Sequence, residues 1–251
     1  LDDDNSHNGN TIINFFNSEI KLNYKINKNL ISFFSEKSKI ENNITEVEGF
    51  VNYKPFFYEL DINFKKFDAI KIFNNFSKIE KFFQKGILLN NKFNGKITFN
   101  IDNLSNLKFF DKVFLNLKFM NGKLFFDQSS LISSKIGRLE IIDGRLIENK
   151  KKRTLNAKVV FKILDEKKFY QKLQISKVNR KPIKNIYFEI ENELNTNDIR
   201  IVKLVVNSDV EKNNQYKKKD LSEEINIEEI KSLKNWIGVK KFANEIFSRF
   251  N

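Results

Sequence analysis

Residues 112–126 read KVFLNLKFMNGKLFF, and this stretch decides the fold of the chain. From Val113 to Phe119 every second residue is apolar, and a period of two is typical of a β-strand with one face away from water. Asn121-Gly122 follows and favours a type I′ turn, because both central positions of such a turn have positive φ. The stretch therefore predicts a β-hairpin.

Similar alternation extends along the chain on both sides of this hairpin. It predicts strands over 12–16, 20–26, 30–34, 48–53, 56–64, 93–101, 154–164, 184–191 and 199–206. Asp143-Gly144 repeats the hairpin signal between residues 138–142 and 145–148. The sequence thus predicts a mainly β (β-rich α+β) fold, in which a curved antiparallel meander sheet forms a groove or half-barrel.

Three helical segments complete the predicted fold. An amphipathic helix over about 68–85, capped by Asp68, is expected to pack on the sheet, and a short helix is expected over about 165–173. A tail over 226–251, capped by Asn226, is expected to form one amphipathic helix or a helix pair. These elements divide the chain into a β-rich domain over 1–208, a polar linker over 209–225 and the helical tail.

Residue types that carry catalysis or bind metals are scarce. The chain has one His, no Cys and eight scattered Gly, so the sequence predicts no catalytic residue, no metal site, no cofactor and no enzymatic activity. A net charge of +13 invites comparison with nucleic-acid binders. Lys alternates with Glu and Asp through most of the chain, however, and no nucleic-acid-binding motif is recognisable, so no nucleic acid is expected as a partner.

Several of these strand and turn units resemble the C-terminal region of the AsmA-like family of bacterial envelope proteins. The resemblance covers roughly residues 56–251 and provides no catalytic residue. It is carried by the helix before Gly86 and by FNGKITFNI from Phe93, LNLKFMNGKLFFDQSSL over 115–131, KIGRLEIIDGRL over 135–146, LNAKVVFKI from Leu155, RKPIKNIYFEIEN from Arg180 and NWIGVKKFANEIF from Asn235.

The resemblance implies a non-enzymatic periplasmic module of a protein tethered to the inner membrane of a Gram-negative-type bacterium. Such a protein acts in outer-membrane biogenesis and in lipid transport or homeostasis through a hydrophobic β-sheet groove. The implied partners are a phospholipid or another acyl lipid, other envelope proteins, and the membrane through an anchor that is missing from this chain.

Nine apolar positions on the alternating strands are the candidate lipid-facing residues. They are Ile97, Phe99, Val113, Leu115, Leu117, Phe119, Val159, Phe161 and Phe188. Burying each CH₂ group of an acyl chain against such a strip stabilises by about 0.8 kcal/mol. The same residues serve equally well as an ordinary core, and a structural or protein-interaction β-domain with a closed core and no lipid path is the alternative.

Overall fold

The structure, a computed structural model, describes residues 6–15, 18–41, 43–68, 89–107, 109–149, 152–194, 198–207, 218–221 and 236–249. Over these residues the protein is mainly β, which confirms the predicted fold class. The chain divides into two compact units, residues 1–129 (unit 1) and residues 130–251 (unit 2). The expected domain bounds of 1–208, 209–225 and 226–251 stay a prediction.

The described part of unit 1 is built almost entirely of strands. They are β1 (Ser6–Phe15), β2 (Ser18–Asn27), β3 (Leu30–Ile40), β4 (Asn43–Tyr53), β5 (Phe56–Phe64), β6 (Phe67–Asp68), β7 (Gly95–Ile101), β8 (Leu104–Ser105), β9 (Lys112–Met120) and β10 (Lys123–Phe125). The sheet order is β1-β2-β3-β4-β5-β7-β9-β10, while β6 and β8 form a small ladder of their own.

One pair of neighbours in this sheet departs from the predicted antiparallel meander. β5 and β7 are parallel, with Leu60 opposite Ile97, and β6 is likewise parallel to β8. Parallel neighbours require a long crossover connection, and residues 65–94 supply it here. The helix expected over about 68–85 falls in this connection: Asp68 ends β6, and residues 69–88 lie outside the described residues.

Unit 2 combines an antiparallel sheet with helices. Its strands, in sheet order, are β11 (Ser130–Ser133), β12 (Gly137–Asn149), β13 (Lys152–Ile163), β14 (Asn185–Glu193), β15 (Asp198–Asn207) and β16 (Lys218–Leu221). Its helices are α1 (Glu166–Leu173), a 3₁₀ turn (Lys177–Asn179) and α2 (Trp236–Arg249). Residues 226–235 of the expected tail lie outside the described residues.

The short helix predicted over 165–173 is confirmed as α1. The carboxylate of Asp165 accepts a hydrogen bond from the Lys168 backbone N–H at 2.9 Å and so caps the first turn. Its hydrogen bond with the Lys168 side chain is the main cause of the lowered pKa of Asp165. Phe169, Tyr170 and Leu173 are buried, so the apolar face of α1 packs inward as expected.

The hairpin predicted at Asn121-Gly122 is confirmed, because both residues have positive φ, 51° and 72°. The hairpin predicted at Asp143-Gly144 is wrong. β12 runs through both residues as one strand, with a bulge between Ile141 and Asp143. β13 is long enough to pair with both halves of β12, so the chain continues straight and absorbs one extra residue as a bulge.

The linker expected over 209–225 contains β16. This strand pairs with the end of β15 from Leu204–Leu221 to Asn207–Lys218. The pairing occupies backbone hydrogen-bonding groups along the edge of β15, which would otherwise be unpaired beside the buried residues Leu204 and Val205.

Bulges interrupt the strand ladders of both units. The register shifts in β2/β3 and β3/β4 of unit 1, and in β12/β13 and β14/β15 of unit 2. A bulge bends its strand and increases the local twist. These positions are therefore where the strands of each unit bend away from a flat surface.

The Asn121-Gly122 turn yields the first prediction. Gly122→Ala should lower the free energy of unfolding by about 1–2 kcal/mol, because a Cβ is disfavoured at positive φ and would also lie 3.0 Å from the Leu89 carbonyl oxygen. Urea denaturation followed by circular dichroism measures the loss. Lys123→Ala, at an exposed position of the same hairpin, is the control and should change stability by less than about 0.5 kcal/mol.

Candidate functional site

One face of the unit 1 sheet is apolar from β4 to β9. Every second residue of each strand points to this face, and the register aligns them: Ile62 lies opposite Phe99, and Phe99 lies opposite Leu115. The described positions of this face hold no charged side chain. Charged and amide side chains occupy the opposite face, as in the 2.8 Å contact between Glu59 and Lys96.

A row of half-buried residues crosses this apolar face at right angles to the strands. The row consists of Tyr24, Phe33, Gly49, Leu60, Ile97 and Leu117, and each residue lies directly opposite the next in the strand ladders. All six are intermediate in exposure. With neighbouring strands about 4.8 Å apart, this transverse row spans about 24 Å.

Some residues on either side of the transverse row are more deeply buried. Val47 and Ile62 are 4% and 8% exposed on one side, and Tyr58 and Phe119 are 8% and 2% exposed on the other. Phe99 and Leu115, which also flank the row, are half-buried, so the row belongs to a partly accessible apolar surface that buried residues border in part. At its β1–β3 end it meets a shallow concavity of about 650 Å³ that is lined in part by Tyr24 and Phe33.

At Gly49 the transverse row has a gap, because this position carries no side chain. A Cβ at this position would lie 2.1 Å from the Glu59 carbonyl oxygen, so the close approach of β4 and β5 requires glycine here. Because Gly49 has no side chain, Phe33 and Leu60 have no apolar neighbour between them on this face. Backbone packing thus leaves a notch in the middle of the row.

An aromatic cluster seals one end of the apolar face. The ring of Tyr58 lies over Gly95, where a Cβ would be 2.4 Å from the Tyr58 Cδ1 atom. The same ring lies 4.7 Å from the Phe93 ring and 6.3 Å from the Phe119 ring, centroid to centroid. A second contact, 4.9 Å between Phe64 and Phe67, closes the other end.

The Tyr58 hydroxyl is the polar group of this cluster. Among the described residues it is buried and has no hydrogen-bond partner. Burial raises the pKa of Tyr58 above its ordinary value, so the side chain stays neutral well into the alkaline range. A buried hydroxyl without a partner normally reduces stability.

The unit 2 sheet has its own apolar face, and the helices cover part of it. Val159 and Phe161 are 4% and 5% exposed. The Phe161 ring lies 5.5 Å from Phe169 of α1, and Phe169 lies 6.0 Å from Phe247 of α2. Phe188, opposite Val159 in the ladder, remains half-buried.

The nine predicted strip residues therefore fall into two units and two degrees of burial. Ile97, Phe99, Leu115 and Leu117 form a half-buried group on unit 1, and Phe188 is half-buried on unit 2. Val113, Phe119, Val159 and Phe161 are buried, so these four belong to the core.

The predicted strip contains two of the six residues of the transverse row, Ile97 and Leu117, and omits the other four. Three of these four residues lie within strands that the sequence predicts: Tyr24, Phe33 and Leu60. Their apolar side chains in an extended segment are a signal that could have included them in the strip. Their alignment with Ile97 depends on the parallel pairing of β5 and β7, and alternation along a single strand does not encode that pairing.

The described residues contain no group of three His, Cys, Asp or Glu side chains that would hold a metal ion. None of the described helices combines the length and apolarity needed to cross a bilayer. Comparisons of the chain with protein-family models, curated proteins and solved structures find no match. What the site offers chemically is a long apolar surface without charge.

The two buried tyrosines yield a paired prediction. Tyr58→Phe should leave the free energy of unfolding unchanged or raise it by up to about 1 kcal/mol, because it removes a hydroxyl without a partner. Tyr170→Phe is the matched control and should lower it by about 1 kcal/mol, because the Tyr170 hydroxyl donates to the Lys181 carbonyl. Urea denaturation measures both. A loss above 1 kcal/mol for Tyr58→Phe would show that its hydroxyl is satisfied.

The difference in burial along the predicted strip yields a second prediction. Phe161→Ala should cost about 3–5 kcal/mol, since it leaves a cavity beside Phe169. Leu117→Ala should cost less than about 2 kcal/mol, because that side chain is already half-exposed. Phe57→Ala, at an exposed ring on the opposite face of unit 1, controls for the loss of a phenyl group. Equal losses for Phe161 and Leu117 would mean that both are core.

Proposed function

We propose that this chain is a non-enzymatic periplasmic module of an inner-membrane-anchored AsmA-like protein, acting in outer-membrane biogenesis and lipid transport or homeostasis. In this proposal the transverse row of unit 1 contacts the acyl chain of a phospholipid. The family assignment rests on the resemblance of the strand and turn segments. The acyl-chain assignment rests on the half-buried row that crosses the apolar face.

The dimensions of the row fit an acyl chain. One leaflet of a bilayer's hydrocarbon core is about 15 Å thick, and the row spans about 24 Å across six strands. An extended acyl chain can therefore lie along the row over its full length. Covering five methylene groups would stabilise the bound lipid by about 4 kcal/mol before the cost of ordering the chain.

The chemistry of the row also favours an apolar ligand. From Phe33 to Leu117 the row offers no hydrogen-bonding side chain, so a polar ligand would lose its hydration without compensation. An acyl chain has no such cost. The notch at Gly49 leaves more room for an acyl chain where it would cross β4.

The alternative is a structural or protein-interaction domain with a closed core. The sealed clusters around Tyr58 and Phe64 are what such a domain would need along its whole apolar face. The two readings differ at the centre of the row: an acyl ligand requires Ile97 and Leu117 to be reachable by lipid, whereas a closed core does not.

Site-specific photocrosslinking tests the proposal. A photoreactive phenylalanine analogue at Leu117, in protein produced in a Gram-negative host and exported to the periplasm, should yield a phospholipid adduct detectable by mass spectrometry. The same analogue at Lys118 is the matched control, because adjacent strand residues point to opposite faces. A second control at Phe161 reports on the sealed core of unit 2.

The expected pattern is an adduct at Leu117 and none at Lys118 or Phe161. Leu60→Glu should abolish the adduct at Leu117, because Leu60 is separated from Leu117 only by Ile97 in the row. No adduct at Leu117 in a folded protein, or equal adducts at Leu117 and Lys118, would contradict acyl-chain binding and favour the closed-core alternative.

A further inference from the structure

Positive charge is concentrated in the helical part of unit 2. We define the basic end as residues 165–184 and 236–249, which comprise α1, the 3₁₀ turn, the segment after it and α2. These 34 residues contain ten basic and three acidic side chains, a net charge of +7. More than half of the chain's net charge of +13 therefore lies in about one seventh of its length.

The three acidic side chains of the basic end are all engaged locally. Asp165 caps α1 and pairs with Lys168 at 2.7 Å. Glu166 accepts a hydrogen bond from the Ile183 N–H at 3.0 Å, and Glu245 pairs with Arg249. Lysines at exposed positions, among them Lys172, Lys177 and Lys241, therefore dominate the outward charge of this surface.

The basic end and the residue that directly precedes it, Leu164, hold the three most exposed large hydrophobic side chains of the described residues. Val178 in the 3₁₀ turn is 79% exposed, Leu164 just before α1 is 74% exposed, and Ile237 in the first turn of α2 is 67% exposed. Exposed aliphatic tips beside Lys side chains are the pattern of a surface that lies in a membrane interface.

Side-chain contacts join α2, which carries Ile237, to the segment that precedes Val178. The Asn244 side chain of α2 accepts a hydrogen bond from the Ser176 N–H at 3.3 Å. Lys240 donates to the Gln174 side chain at 2.8 Å, one helical turn after Ile237. α2, which carries Ile237, thus packs against α1 and against the 3₁₀ turn that carries Val178.

We propose that the basic end is a docking surface for an anionic phospholipid bilayer, with Lys side chains contacting lipid phosphates and Val178 and Ile237 entering the interface. Eight of the ten basic residues are Lys. A Lys ammonium is a point charge on a flexible stem, which suits phosphates without fixed positions, whereas Arg favours fixed bidentate partners. Arg180 is already committed to the Ile175 carbonyl.

The exposed tips favour a bilayer over a nucleic acid. Single-stranded nucleic acids bind through aromatic side chains on which bases stack, and the exposed tips here are aliphatic. Val178 and Ile237 would remain in water on a phosphate backbone but would lose their contact with water in a membrane interface. This proposal is independent of acyl-chain binding by unit 1, since it concerns a different unit and a lipid surface.

Vesicle flotation with the full chain tests the proposal. The protein should float with phosphatidylcholine vesicles that contain phosphatidylglycerol and should not float with phosphatidylcholine alone. Lys177→Gln/Lys241→Gln should weaken the apparent affinity about thirtyfold, since each Lys near an anionic surface contributes about fivefold. Val178→Ser/Ile237→Ser should weaken it about tenfold through lost apolar burial.

Matched variants on unit 1 serve as controls. Lys28→Gln/Lys54→Gln removes two exposed lysines, and Ile12→Ser/Ile44→Ser removes two exposed isoleucines. Both should float like the unaltered protein, as should Leu60→Glu, which separates this test from that of the acyl-chain site. Circular dichroism verifies that each variant is folded, and a salt titration of the unaltered chain gives a readout that needs no variant.

Several outcomes would overturn the proposal. These are equal flotation with neutral and anionic vesicles, no flotation at all, binding that does not weaken with salt, or equal effects of the basic-end and control variants. Tight retention on duplex DNA or RNA that the Val178→Ser/Ile237→Ser change leaves intact, together with weak vesicle binding, would identify a nucleic acid as the partner instead.

Discussion

The candidate site of unit 1 depends on the parallel pairing of β5 with β7. The pairing places Leu60 beside Ile97 and thereby joins the apolar face of β2–β5 to that of β7 and β9. A slip of one residue would turn the apolar positions of β7 to the polar face. Two contacts on that polar face fit only the observed register: the Glu59–Lys96 pair at 2.8 Å, which is the main cause of the raised pKa of Lys96, and the Asn63–Asn100 hydrogen bond at 2.8 Å. A half-exposed ion pair adds little stability, so its importance here is for register.

The same register explains why the apolar face is sealed at its ends and more accessible at its centre. At one end Gly95 leaves room for the Tyr58 ring, which then contacts Phe93 and Phe119. At the centre the atoms nearest to a Cβ at Gly49 would be backbone atoms of Glu59 and Leu60, so this position can carry no side chain. Two glycines required by close approach thus have opposite effects on the surface. One allows an aromatic side chain to cover its neighbours, and the other leaves a notch.

Local chemistry accounts for the parts of this fold that the sequence predicts. The positive φ of Asn121 and Gly122 and the Asp165 cap of α1 depend on neighbouring residues alone, and both were predictable. Asp143-Gly144 carries the same dipeptide signal but lies within β12, directly after a bulge, because a distant strand, β13, pairs with both residues and with the segments on either side. The candidate strip shows the same limit. Alternation identifies both Phe161 and Leu117 as inward-facing. Tertiary packing against Phe169 buries Phe161, whereas Leu117 stays half-exposed, and alternation does not encode this difference.

The two proposed lipid-binding surfaces, the transverse row and the basic end, would contact opposite ends of a phospholipid molecule. The transverse row has no charged group on its face and can bind only the acyl part. The basic end carries a net charge of +7 and can contact only the headgroup layer, apart from two aliphatic tips. Neither surface is suited to hold a whole phospholipid, since the row would leave a phosphate without a cationic partner and the basic end offers no apolar surface of acyl-chain length.

An arrangement of this kind suits a protein that meets a membrane at one surface and shields acyl chains at another, rather than a carrier that encloses a single lipid. The energetic argument is the same for both surfaces: each retains apolar side chains next to water at a cost of about 25 cal/mol per Å², and the proposed lipid contacts would recover that cost.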